Sequence, residues 1–234
     1  MKTTTGEDRR AEVGSRLMDI YGLLRDRFGG RDWWPAESPF EVAIGAILTQ
    51  NTAWKNVELA IGNLKGKNLL KIERLRRTPP EKIAELIRPA GYYNQKTGTL
   101  NRFVEFLHDR YQGRLPSTGE VPTDVLREEL LAIKGIGPET ADSILLYALD
   151  RPVFVVDTYT KRIFSRHLFL AANGSYDSIQ DFFQNNLPRD IELYNDFHAQ
   201  IVALGHRFCR PRPVCADCPL ESLPRRLINE ERHK

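Results

Sequence analysis

The feature of this sequence that most constrains its fold is a glycine turn, Gly135-Ile136-Gly137, between two helical segments. An apolar helical pattern covers Val125–Ile133, and a second helix is predicted to begin at Pro138, where a missing N–H group has no cost. Such a turn leaves backbone N–H groups at a helix N-terminus, which carries partial positive charge and binds a phosphate without any side chain. The sequence therefore predicts a tight hairpin of two helices, with Ile136 tucked back between them.

Helical periodicity also dominates the rest of the chain, and no convincing run of alternating residues predicts a strand. Ser38-Pro39, a cap followed by proline, marks one helix start. Glycine or proline marks several helix ends. The sequence therefore predicts an all-α fold of roughly ten helices. The predicted helices cover residues 10–28, 39–48, 53–64, 69–76, 80–87, 95–111, 125–133, 138 onward, 158–169, 176–186 and 190–206.

The composition is that of an ordinary folded protein of 234 residues, enough for one large domain or two lobes. The 34 lysines and arginines and the 31 acids leave a net charge of +3, which does not by itself indicate a nucleic-acid binder. No stretch approaches the ~20 consecutive apolar residues of a membrane helix. Because the N-terminus also lacks the apolar core of a signal peptide, we expect a cytoplasmic protein that does not contact a membrane.

One carboxylate stands out, because Asp157 follows the apolar segment Val153–Val156 and directly precedes a predicted helix. An acid at this position is either a helix cap or a working group, and here we expect both. A glycine hairpin with an aspartate 20 residues after its second glycine resembles the helix-hairpin-helix DNA glycosylases of the endonuclease III superfamily. The resemblance extends from about Trp33 to Cys218.

The resemblance implies a DNA-binding site built around the hairpin. It implies that Gly135, Ile136 and Gly137, with Glu139 and Thr140 in the next turn, grip a DNA phosphate, and that the aspartate supports cleavage of the bond between base and sugar. It further implies a six-helix lobe over residues 31–151, with the helix-hairpin-helix at about 123–148. A second helical lobe then combines residues 1–30 and 152–234, and DNA is expected to bind across the groove between the lobes.

Glu139 determines the expected reaction type. Many relatives carry a lysine at the matching position, whose amine attacks the sugar and cuts the strand through a Schiff base. A carboxylate cannot form an imine, and Lys134 lies on the wrong side of the hairpin to replace that lysine. The sequence therefore predicts a monofunctional glycosylase that leaves the strand intact. An endonuclease III-like glycosylase and lyase for oxidised pyrimidines is the alternative within this class. A non-catalytic DNA-binding hairpin is the other alternative, although an acid such as Asp157 would repel phosphates in a pure binding module.

The tryptophans indicate the substrate. A core position is the ordinary expectation for any single tryptophan, but Trp33-Trp34-Pro35 lies in a loop beside polar residues. An enzyme that acts on a base flips it into a pocket with aromatic or apolar walls. Indole faces attract cations, and 3-methyladenine is cationic in DNA. The loop, the segment from Gln50 to Trp54 and the Glu139 hairpin resemble the 3-methyladenine branch, which implies that Trp33 or Trp34 and Trp54 sandwich a damaged purine.

Gln50 and Tyr92 match positions that relatives use to enter the duplex and fill the space left by the flipped base. A glutamine can pair with the orphaned partner base, and an aromatic ring can wedge the stack. Both residues also have structural explanations, because Gln50 could end its helix and Tyr92 could be a half-buried loop residue. The expected partner is double-stranded DNA with a damaged base, and we expect a monomeric, nucleoid-associated protein.

The three cysteines crowd together near the end of the chain as Cys209, Cys215 and Cys218, which suggests metal ligation rather than disulfides. Relatives hold an iron–sulfur cluster here with four cysteines, and the fourth position falls on or near Pro224. Three outcomes stay open: a loop without metal, a cluster with a non-cysteine ligand, or zinc with His206 or His233. We expect a loop without metal, no cofactor in the chemistry, and room for a monovalent cation at the hairpin.

Overall fold

The computed structural model describes residues 6–30, 34, 36–171 and 173–225. Over these residues the chain forms helices and no strand, so the predicted all-α class is confirmed, and no helix among them is long and apolar enough to span a membrane. A 3₁₀ turn at Arg88–Ala90 precedes α6, and a π-helical stretch at Ile144–Ala148 continues α8. The helices are α1 (Gly6–Phe28), α2 (Pro39–Leu48), α3 (Trp54–Gly66), α4 (Ile72–Arg76), α5 (Pro80–Leu86), α6 (Tyr93–Tyr111), α7 (Thr123–Leu131), α8 (Pro138–Ser143), α9 (Thr158–Arg166), α10 (Tyr176–Asn186) and α11 (Ile191–Arg207).

The helix boundaries differ from the predicted ones by a few residues. Helix α1 begins four residues earlier than predicted, at Gly6, and α6 begins at Tyr93 rather than Gln95. Helix α9 ends at Arg166 instead of continuing to Phe169. The chain leaves the helix there because Leu168 has a left-handed φ of +66°, which no α-helix accommodates.

The described residues divide into two compact units. One unit covers residues 34–153 and is called the hairpin unit. The other combines the residues before 34 with those from 154 onward and is called the Asp157 unit. The predicted lobe boundaries, at residues 31 and 151, lie two or three residues away from these.

Helix α2 is the central helix of the hairpin unit. Its sequence, PFEVAIGAIL, is apolar on every side, and this composition is typical of a helix that is buried all round. Ile44, Ile47 and Leu48 are fully buried, and each such side chain stabilises the fold by about 1.5–3 kcal/mol. The one acid, Glu41, is also buried and accepts from the Lys65 ammonium at 2.8 Å, so the buried charge is paired.

The two hairpin helices, α7 and α8, are joined by packing and by a charge pair. Ile136 is buried at the turn, as predicted. Arg127 of α7 donates to both carboxylate oxygens of Asp142 on α8, at 2.7 Å and 3.0 Å. The two-point geometry fixes the orientation of the guanidinium as well as its distance. The buried Ile136 and the Arg127–Asp142 pair therefore both hold the two helices together at the turn.

The Asp157 unit has an aromatic core. Phe154 stacks on Phe183 with ring centroids 4.2 Å apart. Phe164 and Phe197 pack edge-on against the same ring of Phe183, at 4.8 Å and 6.3 Å. Phe154 precedes Asp157 by three residues and Phe164 follows it on α9, so this core anchors the chain on both sides of the aspartate.

Candidate functional site

The hairpin turn has a backbone conformation that requires glycine. Gly135 has a φ of +103°, and a Cβ atom there would lie 2.1 Å from the Thr99 hydroxyl oxygen of α6. The N–H of Ile136 donates to the carbonyl oxygen of Ile133 at 2.9 Å and closes the turn. Helix α8 then begins at Pro138. Because the first N–H groups of a helix have no carbonyl partner in that helix, they point out of the turn.

Two side chains hold the carbonyl groups of this turn. Arg102 of α6 donates to the carbonyl oxygen of Lys134 at 2.8 Å. The Gln50 amide donates to the carbonyl oxygen of Gly135 at 3.0 Å and to the Thr140 hydroxyl at 2.9 Å. Both carbonyl oxygens thus accept a hydrogen bond from a side chain, and each has a second lone pair. A monovalent cation at the hairpin stays a prediction. Gln50 lies against the hairpin, and its entry into a duplex remains a prediction.

The two residues predicted for the first turn of α8 have different environments. Glu139 is exposed, whereas Thr140 is buried beneath the Gln50 amide. The backbone carbonyl of Glu139 accepts from the Ser143 hydroxyl at 2.7 Å. The carboxylate of Glu139 therefore occupies the exposed start of the helix, where an acid is favourable beside the helix dipole.

An aromatic cluster, formed by Trp34, Trp54 and Tyr147, lies in the hairpin unit. Trp34 stacks on Tyr147, with ring centroids 5.1 Å apart and planes 28° from parallel. The Trp54 ring meets Trp34 edge-on at 5.2 Å and 79°. Trp54 is 37% exposed, so the cluster reaches the surface. The other predicted pocket residues, Trp33 and Pro35, lie outside the described residues.

Tyr92 is the most exposed aromatic residue described in the hairpin unit, at 65%. It precedes α6 with a left-handed φ of +46°, an unfavourable conformation for a residue other than glycine. Lys96 fixes this turn, because its buried ammonium donates to the carbonyl oxygens of Ala90 at 2.7 Å and Leu48 at 2.8 Å. These carbonyls end the 3₁₀ turn and α2, so one side chain ties down the segments that lead to Tyr92 and to Gln50.

Asp157 is the N-cap of α9 in the Asp157 unit. One carboxylate oxygen accepts from the backbone N–H of Thr160 at 2.6 Å and from its hydroxyl at 2.7 Å. The sequence pattern of an aspartate three residues before a threonine supplies this cap locally. The aspartate is 7% exposed, so most of its hydration is replaced by fixed donors.

His198 of α11 lies beside the second carboxylate oxygen of Asp157, with its Nε2 atom 3.7 Å away. Burial lowers the pKa of His198, and the charge of Asp157 works in the opposite direction. Since the ordinary pKa of histidine is near 6.5, the imidazole is neutral at pH 7. The carboxylate therefore has a polar neighbour that does not cancel its charge.

Helix α10 holds the extended segment in front of Asp157. The Gln184 side chain accepts from the N–H of Phe154 at 3.1 Å, and the Gln180 amide donates to the carbonyl oxygen of Phe154 at 2.8 Å. The N–H of Val156 donates to the Tyr176 hydroxyl at 3.3 Å. Side chains thus replace the strand partner that this segment lacks.

The cysteine loop is held by arginines. The Arg166 guanidinium of α9 donates to the sulfur of Cys209 at 3.2 Å and to the carbonyl oxygens of Arg210 and Pro211 at 2.6 Å and 2.8 Å. Cys209, Cys215 and Cys218 line a cavity of about 180 Å³. Across the described part of the chain, no three histidine, cysteine or acidic side chains are arranged to hold a metal ion.

A four-cysteine iron–sulfur cluster does not fit this loop, because the chain has only three cysteines and the fourth position that the resemblance implies falls on or near Pro224. For zinc, His206 pairs with the Tyr159 hydroxyl at 3.1 Å. His233 lies outside the described residues.

Sequence reasoning did not find Lys96, Tyr147 or His198. Tyr147 follows Glu139 and Ser143 at intervals of four, a helical spacing that could have placed it on the same face as Glu139. No local signal distinguishes Lys96 or His198, because the partners of both are distant in the sequence.

The chain is similar to known DNA repair proteins. A family model described as "HhH-GPD superfamily base excision DNA repair protein" matches residues 44–189. An inferred DNA repair glycosylase of Methanocaldococcus jannaschii is 49% identical over 207 residues, which cover 88% of this chain and 94% of that protein. A structure of a non-covalent endonuclease III–DNA complex is 24% identical with a TM-score of 0.77, covering 90% of this chain and 94% of that one. A structure of the 3-methyladenine DNA glycosylase of H. pylori bound to 1,N6-ethenoadenine is 31% identical with a TM-score of 0.65, covering 82% and 95%.

Proposed function

Because the chain belongs to the HhH-GPD superfamily of base excision DNA repair proteins and is a DNA repair glycosylase of that superfamily, we propose that it removes alkylated purines by hydrolysis. The strand stays intact in this reaction. The observation that carries the proposal is the pair of carboxylates at two matched positions, Asp157 at the N-cap of α9 and Glu139 where relatives have the attacking lysine.

Asp157 stabilises the transition state. As the bond from the sugar C1′ atom to the base nitrogen breaks, positive charge builds on the sugar, as in glycoside hydrolysis. A carboxylate that is fixed by Thr160 and lies next to His198 needs no reorganisation as the charge on the sugar develops. The same carboxylate orients the attacking water and can accept its proton. A cationic alkylpurine departs as a neutral base, so no strong general acid is required.

Glu139 makes the reaction hydrolytic. An amine at this position would attack C1′ and form an imine that leads to strand cleavage. A carboxylate has no N–H to lose and cannot form that intermediate. Water therefore supplies the oxygen that replaces the base, and the product is an intact strand with an abasic site.

The aromatic cluster selects the base. Trp54 presents a partly exposed indole ring, whose face attracts cations. The similarity to a 3-methyladenine glycosylase structure supports an alkylated purine as the substrate. An endonuclease III-like activity on oxidised pyrimidines is the alternative, and it would require another nucleophile in place of Glu139.

The hairpin positions the DNA. The backbone N–H groups at the start of α8, beginning with that of Gly137, bind a backbone phosphate, in a turn whose shape Gly135 and Ile136 maintain. Glu139 and Thr140 flank that phosphate in the first turn. Tyr92, with its exposed ring, wedges the base stack, and Gln50 approaches the orphaned base by exchanging its hydrogen bonds to the hairpin.

The decisive experiment compares two N-cap aspartates. Asp157→Asn keeps a cap acceptor, since asparagine and aspartate cap equally well, but removes the charge. We expect its single-turnover excision rate to fall by about 10²-fold or more, while its affinity for duplex DNA is unchanged or higher. Asp190→Asn is the matched control, because Asp190 caps α11 through a 2.7 Å bond from the N–H of Leu193. Equal excision rates for the two variants would refute the role of Asp157.

Lesion preference and mechanism are tested on the wild-type chain. Duplexes that carry one 1,N6-ethenoadenine, 3-methyladenine analogue or thymine glycol are incubated with the protein, with and without subsequent alkali. We expect breaks only at the purine lesions and only after alkali. Covalent trapping by borohydride, or cleavage at thymine glycol without alkali, would establish the oxidised-pyrimidine alternative instead.

A further inference from the structure

The aromatic cluster has no gap for a base. Trp34 contacts Tyr147 face to face and Trp54 edge to face. A base sandwiched between two rings needs parallel planes separated by two contact distances, each of about 3.5–4.0 Å. The planes of Trp34 and Trp54 are 79° apart, so these two indoles do not form such a sandwich in this conformation.

The Trp34 indole fills a space that would also suit a purine, which we call the purine seat. The indole stacks on the phenol of Tyr147, with ring centroids 5.1 Å apart and planes 28° from parallel. On another side is Gly45 of α2, where an added Cβ atom would lie 3.2 Å from two atoms of the indole. Because glycine in a helix interior is unfavourable by about 1 kcal/mol relative to alanine, its presence here is explained by the flat ring that it accommodates.

Tyr147 belongs to the helical segment that begins at the hairpin. It lies in the π-helical stretch that continues α8, eight residues after Glu139. By the resemblance, Glu139 stands where many relatives have the amine that attacks the sugar. The phenol ring is therefore joined to the reactive position by one continuous helical segment.

From this geometry we infer that Tyr147 is the surface on which the flipped purine stacks, and that Trp34 occupies the purine's seat until the base displaces it. The inference rests on the proposed function and adds a specificity-determining residue to it. Entry of the base into the pocket then needs two events: the nucleotide leaves the duplex, and the Trp34 indole leaves its place on Tyr147. Only a base that stacks on the phenol at least as well as the indole completes the exchange.

The test measures binding and excision separately. The free base 1,N6-ethenoadenine is titrated into the full-length protein, and its fluorescence is followed. Single-turnover excision is measured on a duplex that carries the same lesion. The variants are Trp34→Ala, Tyr147→Ala, Tyr147→Phe and Gly45→Ala. Phe106→Ala serves as the control, because Phe106 is a partly buried aromatic of the same unit that packs on Tyr111 instead.

Trp34→Ala decides the inference by the sign of its effect. If the indole occupies the seat, its removal tightens binding of the free base by roughly 2- to 12-fold, the factor expected for one aromatic pair. If the indole is a wall of the pocket, the same variant weakens binding, and the inference is overturned. Free-base binding needs no catalysis, so this result holds even if the wild-type protein fails to excise the lesion, a failure that would count against the proposed function alone.

Tyr147 provides the second criterion. Tyr147→Ala should lower both binding and excision by at least threefold beyond the control, and Tyr147→Phe should restore them because the ring face remains. Gly45→Ala should weaken binding of the free base although Tyr147 is unchanged, since the added methyl group would project into the space that the Trp34 indole now fills. If Tyr147→Ala binds the free base and excises the lesion as well as the wild type does, the inference is overturned. The thermal melting of each variant shows whether a loss of binding comes from lost stacking or from unfolding.

Discussion

The Arg127–Asp142 pair gives the sharpest stability prediction, because it joins the two hairpin helices and one partner is fully buried. Arg127→Met removes both charged hydrogen bonds and leaves Asp142, whose side chain is 0% exposed, without its guanidinium. Removal of one partner from a buried pair typically costs about 3–5 kcal/mol. Since the Arg127 side chain is 23% exposed, water partly solvates the pair, and we expect the lower end, about 3 kcal/mol. For a chain of this size that loss lowers the melting temperature by roughly 6–12 °C.

The measurement is thermal and urea unfolding of the wild type, Arg127→Met and the double variant Arg127→Met/Asp142→Leu. The double variant should regain most of the lost stability, because no uncompensated charge remains. Arg114→Met is the matched control, since Arg114 grips Glu120 with the same two-point geometry, at 2.7 Å and 2.6 Å, but on the surface. It should change the melting temperature only slightly. A melting temperature of Arg127→Met equal to that of the control would refute the reasoning.

Three further predictions concern the hairpin turn at Gly135 and the buried Lys96. Gly135→Ala should lose about 1–2 kcal/mol or more from its positive φ, with an added clash against Thr99, and should weaken binding to undamaged duplex in a gel-shift or anisotropy titration. Lys96→Met leaves the buried carbonyls of Leu48 and Ala90 without their donor, so chemical unfolding should show a loss of about 1–3 kcal/mol for each. Burial lowers the pKa of Lys96 to about 8. Because the unfolded chain then holds more protons than the folded one between pH 8 and the ordinary lysine pKa near 10.4, the wild type should gain stability relative to Lys96→Met as the pH rises through this window.

The parts of the site that depend on local chemistry could be predicted from the sequence. The turn at Gly135 needs only a glycine that tolerates a positive φ and a proline that starts the next helix. The cap at Asp157 needs only an acceptor placed three residues before Thr160. The all-α fold class could be predicted for the same reason, since helical periodicity is a local property of the sequence.

The remaining features depend on partners that are distant in the sequence. In the sequence, nothing distinguishes Lys96 from other lysines in helices, because its two carbonyl partners come from α2 and from the 3₁₀ turn. The edge-on packing of Trp34 and Trp54 depends on how the residue before α2 lies against the start of α3, and the helical periodicity of the sequence does not contain this information. The predicted end of α9 is wrong because Leu168 takes a left-handed conformation without a glycine to indicate it, and the N–H of Phe169 then donates to the carbonyl oxygen of Phe164 at 2.9 Å.

The hairpin and the aromatic cluster differ in how much must change before DNA is bound. At the hairpin, Arg102 already holds the carbonyl group of Lys134 and Gly135 already has its positive φ, so the N–H groups at the start of α8 are in position to contact a phosphate. At the cluster, Trp34 fills the space beside Tyr147, and in the exchange proposed above it has to leave. On that proposal, contact with the DNA backbone needs no rearrangement and does not depend on the sequence, whereas acceptance of a base requires one ring to replace another. The protein would then hold ordinary DNA through its phosphates and rearrange only for a purine that stacks on the phenol better than Trp34 does.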